Sequence, residues 1–104
     1  MVMPDAIKAL LNLEKAEKNN LSKLVYNVTS FNPSAQEIFD IVMDAFPNAE
    51  ITFEPDNARQ GIVDTWPADV DDQAAKTDWR WEPDCDQQHA FSKYLIPAIK
   101  ARYP

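Results

Sequence analysis

From residue 4 to residue 19 the chain reads PDAIKALLNLEKAEKN, with Ala6, Ile7, Leu10 and Leu11 at the three- and four-residue intervals of one helix face. Pro4 and Asp5 suit a first turn, and Glu14 and Lys18 stand one turn apart as a supporting pair. The pattern then changes. Residues 24–28, LVYNV, are branched and aromatic, which predicts a strand. Ser34 and Glu37 form an S-x-x-E capping box, opening a helix whose Ile38, Phe39, Val42, Ala45 and Phe46 share a face and which Pro47 and Asn48 end. EITFEP at 50–55 alternates as a short strand does, so residues 24–54 spell strand, capped helix, strand, with a crossover long enough for a right-handed parallel unit. A loop is expected over 56–65. Asp71 can cap a helix running to Thr77 or Asp78 and stopping before Pro83. A last helix, 87–102, is expected to bury Phe91, Tyr94, Leu95 and Ala98, with Pro97 kinking or weakening it. The fold class is α/β: a small two-layer, α+β-like domain with a strand-helix-strand unit and flanking helices.

Composition narrows what such a domain can do. The chain has 104 residues, enough for one modest core, and 45% of them are hydrophobic. Its single glycine rules out a glycine-rich phosphate cradle, which needs several at fixed spacing for backbone to approach phosphate. A net charge of −7 disfavours nucleic acid and anionic membranes as partners. No apolar run is long enough to span a bilayer, and MVMPDAIKALLNLEK lacks the apolar centre of a signal peptide. Cys85 is alone, so no internal disulfide forms and a cytoplasmic setting is the default.

Catalytic chemistry is sparse. His89 is the only histidine, and nothing nearby in sequence supplies a nucleophile for it. Cys85 reads as a passive thiol, and Asp69, Asp71 and Asp72 lack the spacing of a calcium loop, so neither a metal nor a catalytic group is expected. Trp79 and Trp81, at a helix end, read as core anchors; Trp66 is open between packing and ligand contact. Arg59 has no acidic partner expected close by, and serves equally as a surface residue or a carboxylate clamp.

Four stretches carry a resemblance to a known family. MVMPDAIKAL (1–10), VYNVTSFNPSAQEI (25–38), RQGIVDTWP (59–67) and DDQAAKTDWRWEPDCD (71–86) resemble, in order, motifs in the C-terminal part of extended short-chain dehydrogenases/reductases. Within this epimerase/dehydratase superfamily the D-T-W-P and W-x-W stretches favour the epimerase-like L-threonine 3-dehydrogenases. The family's Rossmann domain, with its glycine motif and Tyr-x-x-x-Lys pair, has no counterpart here: Tyr26 and Tyr94 are followed at the fourth position by Ser30 and Ala98. The resemblance therefore implies that residues 1–104 are a C-terminal substrate-binding piece of a longer protein, inactive alone and binding no NAD by itself. The intact enzyme would use NAD to oxidise L-threonine to 2-amino-3-ketobutyrate, with Met1, Met3, Pro4, Arg59 and Trp66 lining the substrate pocket and a homodimer as a possible assembly.

Two positions depart from the family pattern. Val2 stands where tyrosine is usual, and Arg80 replaces the glycine of W-G-W; if Arg80 keeps a left-handed backbone, the strain is roughly 1 kcal/mol. A nucleotide-sugar epimerase or dehydratase is the alternative enzyme class, disfavoured because Ile62 occupies the position where an acidic residue holds a ribose. A freestanding acidic interaction module is the alternative outside enzymes.

Overall fold

The computed structural model describes residues 1–103, which form helices joined by irregular segments; among them there is no strand. The chain divides into two compact units, one made of Met1–Asn32 together with the segment from Val70 onward, the other of Pro33–Asp69.

In the first unit, α1 (Met3–Lys15) starts behind an extended Val2 and stops at Ala16, whose backbone turns extended at φ −67°, ψ 140°. A short 3₁₀ turn, Lys18–Asn20, follows. Glu14 and Lys18, expected one turn apart in a single helix, thus fall in different elements. The buried face of α1 is also not its bulkiest one. Asp5 and Ala9 are buried, with Leu13 and Ala16 packed on the core, while Ile7, Leu10 and Leu11 are exposed. Small Ala9 allows the close approach of the tryptophans.

The helix α4 (Gln73–Trp79) has Asp72 at its cap position; the neighbouring Asp71 side chain accepts the N–H of Gln73 at 3.0 Å, and buried Asp72 pairs with Lys76 at 2.6 Å. Asp86 opens the last helix by accepting the His89 N–H at 2.8 Å. That helix runs through α5 (Gln87–His89), a π-helical stretch (Ala90–Leu95) and α6 (Ile96–Arg102). The wider turns immediately precede Pro97, which has no N–H and whose ring crowds the preceding turn. Tyr94, Leu95 and Ala98 are exposed and Phe91 is half-buried, contrary to the expected inward face; Ala90 is the residue this helix buries. Phe31 meets Phe91 at 6.4 Å between ring centroids.

In the second unit, α2 (Ala35–Ala45) carries the expected capping box in both directions: Ser34 Oγ accepts the Glu37 N–H at 3.2 Å, and Glu37 Oε2 accepts the Ser34 N–H at 2.7 Å. Phe39 meets Phe53 at 5.4 Å. Where a loop was expected, α3 (Asn57–Val63) forms, because Asp56 caps it by accepting from Ala58 and Arg59.

The strand-helix-strand expectation needs correction. Residues 24–28 and 50–55 are irregular or extended but form no ladder; Leu24 and Val25 are exposed, as is every residue from 50 to 55. A strand exists only through hydrogen bonds to a neighbour, and no described residues supply one to either segment.

Candidate functional site

The tryptophan-rich stretch builds the core of the first unit. Trp79 and Trp81 are buried with Ala9 and Ala75, their ring centroids 5.8 Å apart, and Tyr26 meets Trp79 edge-on at 6.0 Å. Two tryptophans separated by one residue both turn inward because Arg80 between them is left-handed, at φ 56°, ψ 43°. This backbone brings the N–H groups of Arg80 and Trp81 to the Ala75 carbonyl and leaves the Arg80 side chain outside. It is a conformation that costs a non-glycine residue about 1–2 kcal/mol, here adopted by an arginine. Trp81 then donates Nε1–H to the Thr29 carbonyl at 3.1 Å.

Two carboxylates fasten the loops around this core. Asp5, 1% exposed, accepts the backbone N–H groups of Asp84 at 2.9 Å and Cys85 at 3.1 Å. Asp78 Oδ2 accepts from the Ser22 N–H at 2.8 Å, the Ser22 hydroxyl at 2.7 Å and the Tyr26 hydroxyl at 2.6 Å. The Ser22 hydroxyl, then Tyr26 and the Ser22 amide, hold the Asp78 carboxyl below the usual carboxylate range.

Two concavities flank Trp79. One, of about 250 Å³, is apolar, walled by Met1, Leu10, Leu13, Tyr26 and Val28. The other, of about 370 Å³, is polar and open; Asn12, Lys15 and Glu17 reach it from the end of α1, Asn20 from the 3₁₀ turn, and Asp78 and Arg80 from the end of α4. No sequence motif announces this polar cleft, because its walls come from segments far apart in the chain.

Of the residues expected to line a substrate pocket, Met1, Met3 and Pro4 lie together at the start of α1, all exposed, with Met1 on the rim of the apolar groove. Arg59 lies in α3 rather than a loop and has an acidic neighbour after all, Asp56, at 3.6 Å. Trp66 follows α3 in a turn, its N–H bonded to the Val63 carbonyl and its side chain 66% exposed, so it is not a core residue. These two groups fall in different units.

His89 and Cys85 lie at and before the start of the last helix. His89 Nδ1 lies 3.2 Å from Asp86 Oδ1, an exposed pair; the His89 amide, then its ring, hold the Asp86 carboxyl low. Burial, then the charges of Asp5, Asp84 and Asp86, push the Cys85 thiol up, away from the reactive thiolate. Among the described residues no three potential ligands gather to hold a metal, and no helix is long and apolar enough to cross a membrane.

Comparison with known proteins places this architecture. No family model matches. The mitochondrial L-threonine 3-dehydrogenase of Bos taurus is 33% identical over 86 residues, 83% of this chain and 23% of that protein. The crystal structure of L-threonine dehydrogenase from Phytophthora infestans superposes with a TM-score of 0.82 at 32% identity, over 98% of this chain and 33% of that one. The chain is a homologue of the L-threonine dehydrogenases. An uncharacterized epimerase/dehydratase of Staphylococcus saprophyticus, 27% identical over 98% of this chain and 32% of its own length, extends the homology to the wider epimerase/dehydratase group. This threonine-dehydrogenase homologue thus spans about a quarter to a third of the length of the relatives it matches.

Proposed function

We propose that the chain is the substrate-binding part of an NAD-dependent L-threonine 3-dehydrogenase-like enzyme that converts threonine to 2-amino-3-ketobutyrate. The observation that carries this reading is the agreement of sequence and fold with threonine dehydrogenases along nearly the whole chain. A surface observation supports it: Met3, Ile7, Leu10 and Leu11 form an exposed apolar stripe on α1, the kind of face that larger proteins cover.

A dinucleotide does not fit the residues present. Gly61 lies inside α3, not in a turn before a helix, and no glycine-rich loop exists to let backbone approach a pyrophosphate. NAD therefore belongs to the rest of the intact enzyme in this reading, and no step here passes through it. The residues of this chain bind and shield. Arg59, whose side chain is 85% exposed beside a long contact to Asp56, takes the threonine carboxylate in a bidentate fork. Trp66, exposed in the same unit as Arg59, excludes water from the reacting carbon, and Met1, Met3 and Pro4 contribute apolar contacts in the intact enzyme. In this reading the intact enzyme is a cytoplasmic homodimer.

The test is an assay of the intact encoded protein with NAD, following absorbance of the reduced cofactor, with L-threonine and with UDP-sugars as alternatives. Turnover of threonine, with Arg59→Ala raising KM by roughly tenfold or more from the lost charge-assisted contact, supports the reading. Activity on UDP-sugars alone would transfer the protein to the nucleotide-sugar epimerase class, and no dehydrogenase activity on either substrate would remove the enzymatic reading.

A further inference from the structure

The polar cleft between the ends of α1 and α4 combines features that the dehydrogenase reading does not use. Lys15 and Arg80 both line it, and neither has an ion pair among the described residues, although acidic groups outnumber basic ones by 17 to 10 in this chain. The cleft is not simply cationic. Glu17 lines it, as does Asp78, whose Oδ2 is engaged by Ser22 and Tyr26 while Oδ1 accepts no hydrogen bond among the described residues. The C-terminal ends of two helices meet there and add partial negative charge. Asn12 and Asn20 supply neutral amides, and Trp79, whose buried Nε1–H has no partner among the described residues, forms part of the wall. Arg80 lines this cleft from a left-handed backbone that glycine would adopt without strain.

We propose that this cleft binds a small zwitterion, an α-amino acid, with its carboxylate between Lys15 and Arg80 and its ammonium group on Asp78 and Glu17. A simple anion meets two carboxylates and two helix C-termini there, and a simple cation meets two basic groups; a ligand carrying both charges complements both. The volume of about 370 Å³ admits an amino acid with room for water. The cleft contains none of Met1, Met3, Pro4, Arg59 or Trp66, so it is separate from the proposed substrate pocket and stands or falls independently of it.

The experiment uses the ¹⁵N-labelled 104-residue chain titrated with L-alanine and L-threonine, and with acetate and methylammonium as single-charge probes at equal ionic strength. Saturable shifts of the Trp79 indole and of the Asn20 and Arg80 amides with the amino acids, absent with either single-charge probe, are expected. Arg80→Gly removes the guanidinium and relieves the backbone, so the variant folds; it and Lys15→Gln should each weaken binding about tenfold, the scale of a lost charge-assisted bond. Equal shifts with acetate, no saturation with amino acids, or unchanged affinity in Arg80→Gly would each overturn the proposal.

Discussion

Removing the Asp5 carboxylate is the sharpest perturbation the core offers. Its oxygens accept the Asp84 and Cys85 N–H groups, and it is 1% exposed, so Asp5→Ala withdraws both acceptors and leaves a small void. An unsatisfied buried donor costs about 1–3 kcal/mol. Asp84 is exposed and Cys85 half-buried, so water partly replaces the lost partners, and the net loss expected is about 2–4 kcal/mol. Asp5→Asn keeps one acceptor and turns an amide donor toward the other N–H, which sets its cost at about 1–2 kcal/mol. Urea unfolding followed by tryptophan fluorescence reads these differences as midpoint shifts at constant slope; in a heat scan 1 kcal/mol corresponds to roughly 4–8 °C for a domain of this size. Lys8→Ala is the control: its bridge to Asp84 is at the surface, and its loss should cost under about 1 kcal/mol. If Asp5→Ala and Asp5→Asn both unfold within about 0.5 kcal/mol of the parent, the buried carboxylate does not hold residues 84–85, and the reasoning fails.

Three further outcomes follow from the geometry. Arg80→Gly should raise stability by about 0.5–1 kcal/mol, the relief of left-handed strain less the added freedom of glycine when unfolded, whereas Arg80→Ala should not; thermal unfolding of the two variants side by side decides it. Asp78 has a folded carboxyl below its unfolded value near 3.9, so its contribution is complete above that pH and disappears as pH falls through the lower folded value; Tyr26→Phe should flatten this acid limb in urea midpoints measured from pH 7 to 3. Ser34→Ala should cost about 1 kcal/mol by removing the Oγ acceptor of the Glu37 N–H while the residue-34 N–H keeps its bond to Glu37, and amide exchange in the first turn of α2 should accelerate while that of α4 does not.

Features decided by neighbours in sequence were legible. Ser34 and Glu37 stand three apart and cap α2 wherever that helix packs; Asp71 touches the start of α4, and Trp79 and Trp81 announced the core. Features decided by distant partners were not. Residues 24–28 have strand composition, yet a ladder needs a second segment that composition does not supply. In α1 the periodicity of Ile7, Leu10 and Leu11 marked a helix correctly but not its inward side, which Asp5 and Ala9 determine through their contacts across the chain. The α3 helix escaped notice because Gly61 lowers its propensity, while Asp56 supplies a cap that outweighs it. Within the candidate site, Arg59 and Trp66 are accessible as a binding role requires, but the polar cleft had no local signature at all.

The bonds that close the first unit run between its two chain segments: Tyr26 to Asp78, Thr29 to Trp81, and Asp5 to Asp84 and Cys85, the last two spanning 79 and 80 positions. Because Pro33–Asp69 is inserted between those segments, a ribosome must emit the whole insertion before α1 can meet the tryptophans it packs against. For that interval Val2, Ala9 and Leu13 have no core, and loop closure must precede any gain from burial, which makes folding slow and the nascent chain vulnerable to aggregation. A circular permutant that joins the present ends and opens the chain inside the insertion would make α1 and the tryptophan segment consecutive, and its refolding rate would measure what the discontinuous topology costs.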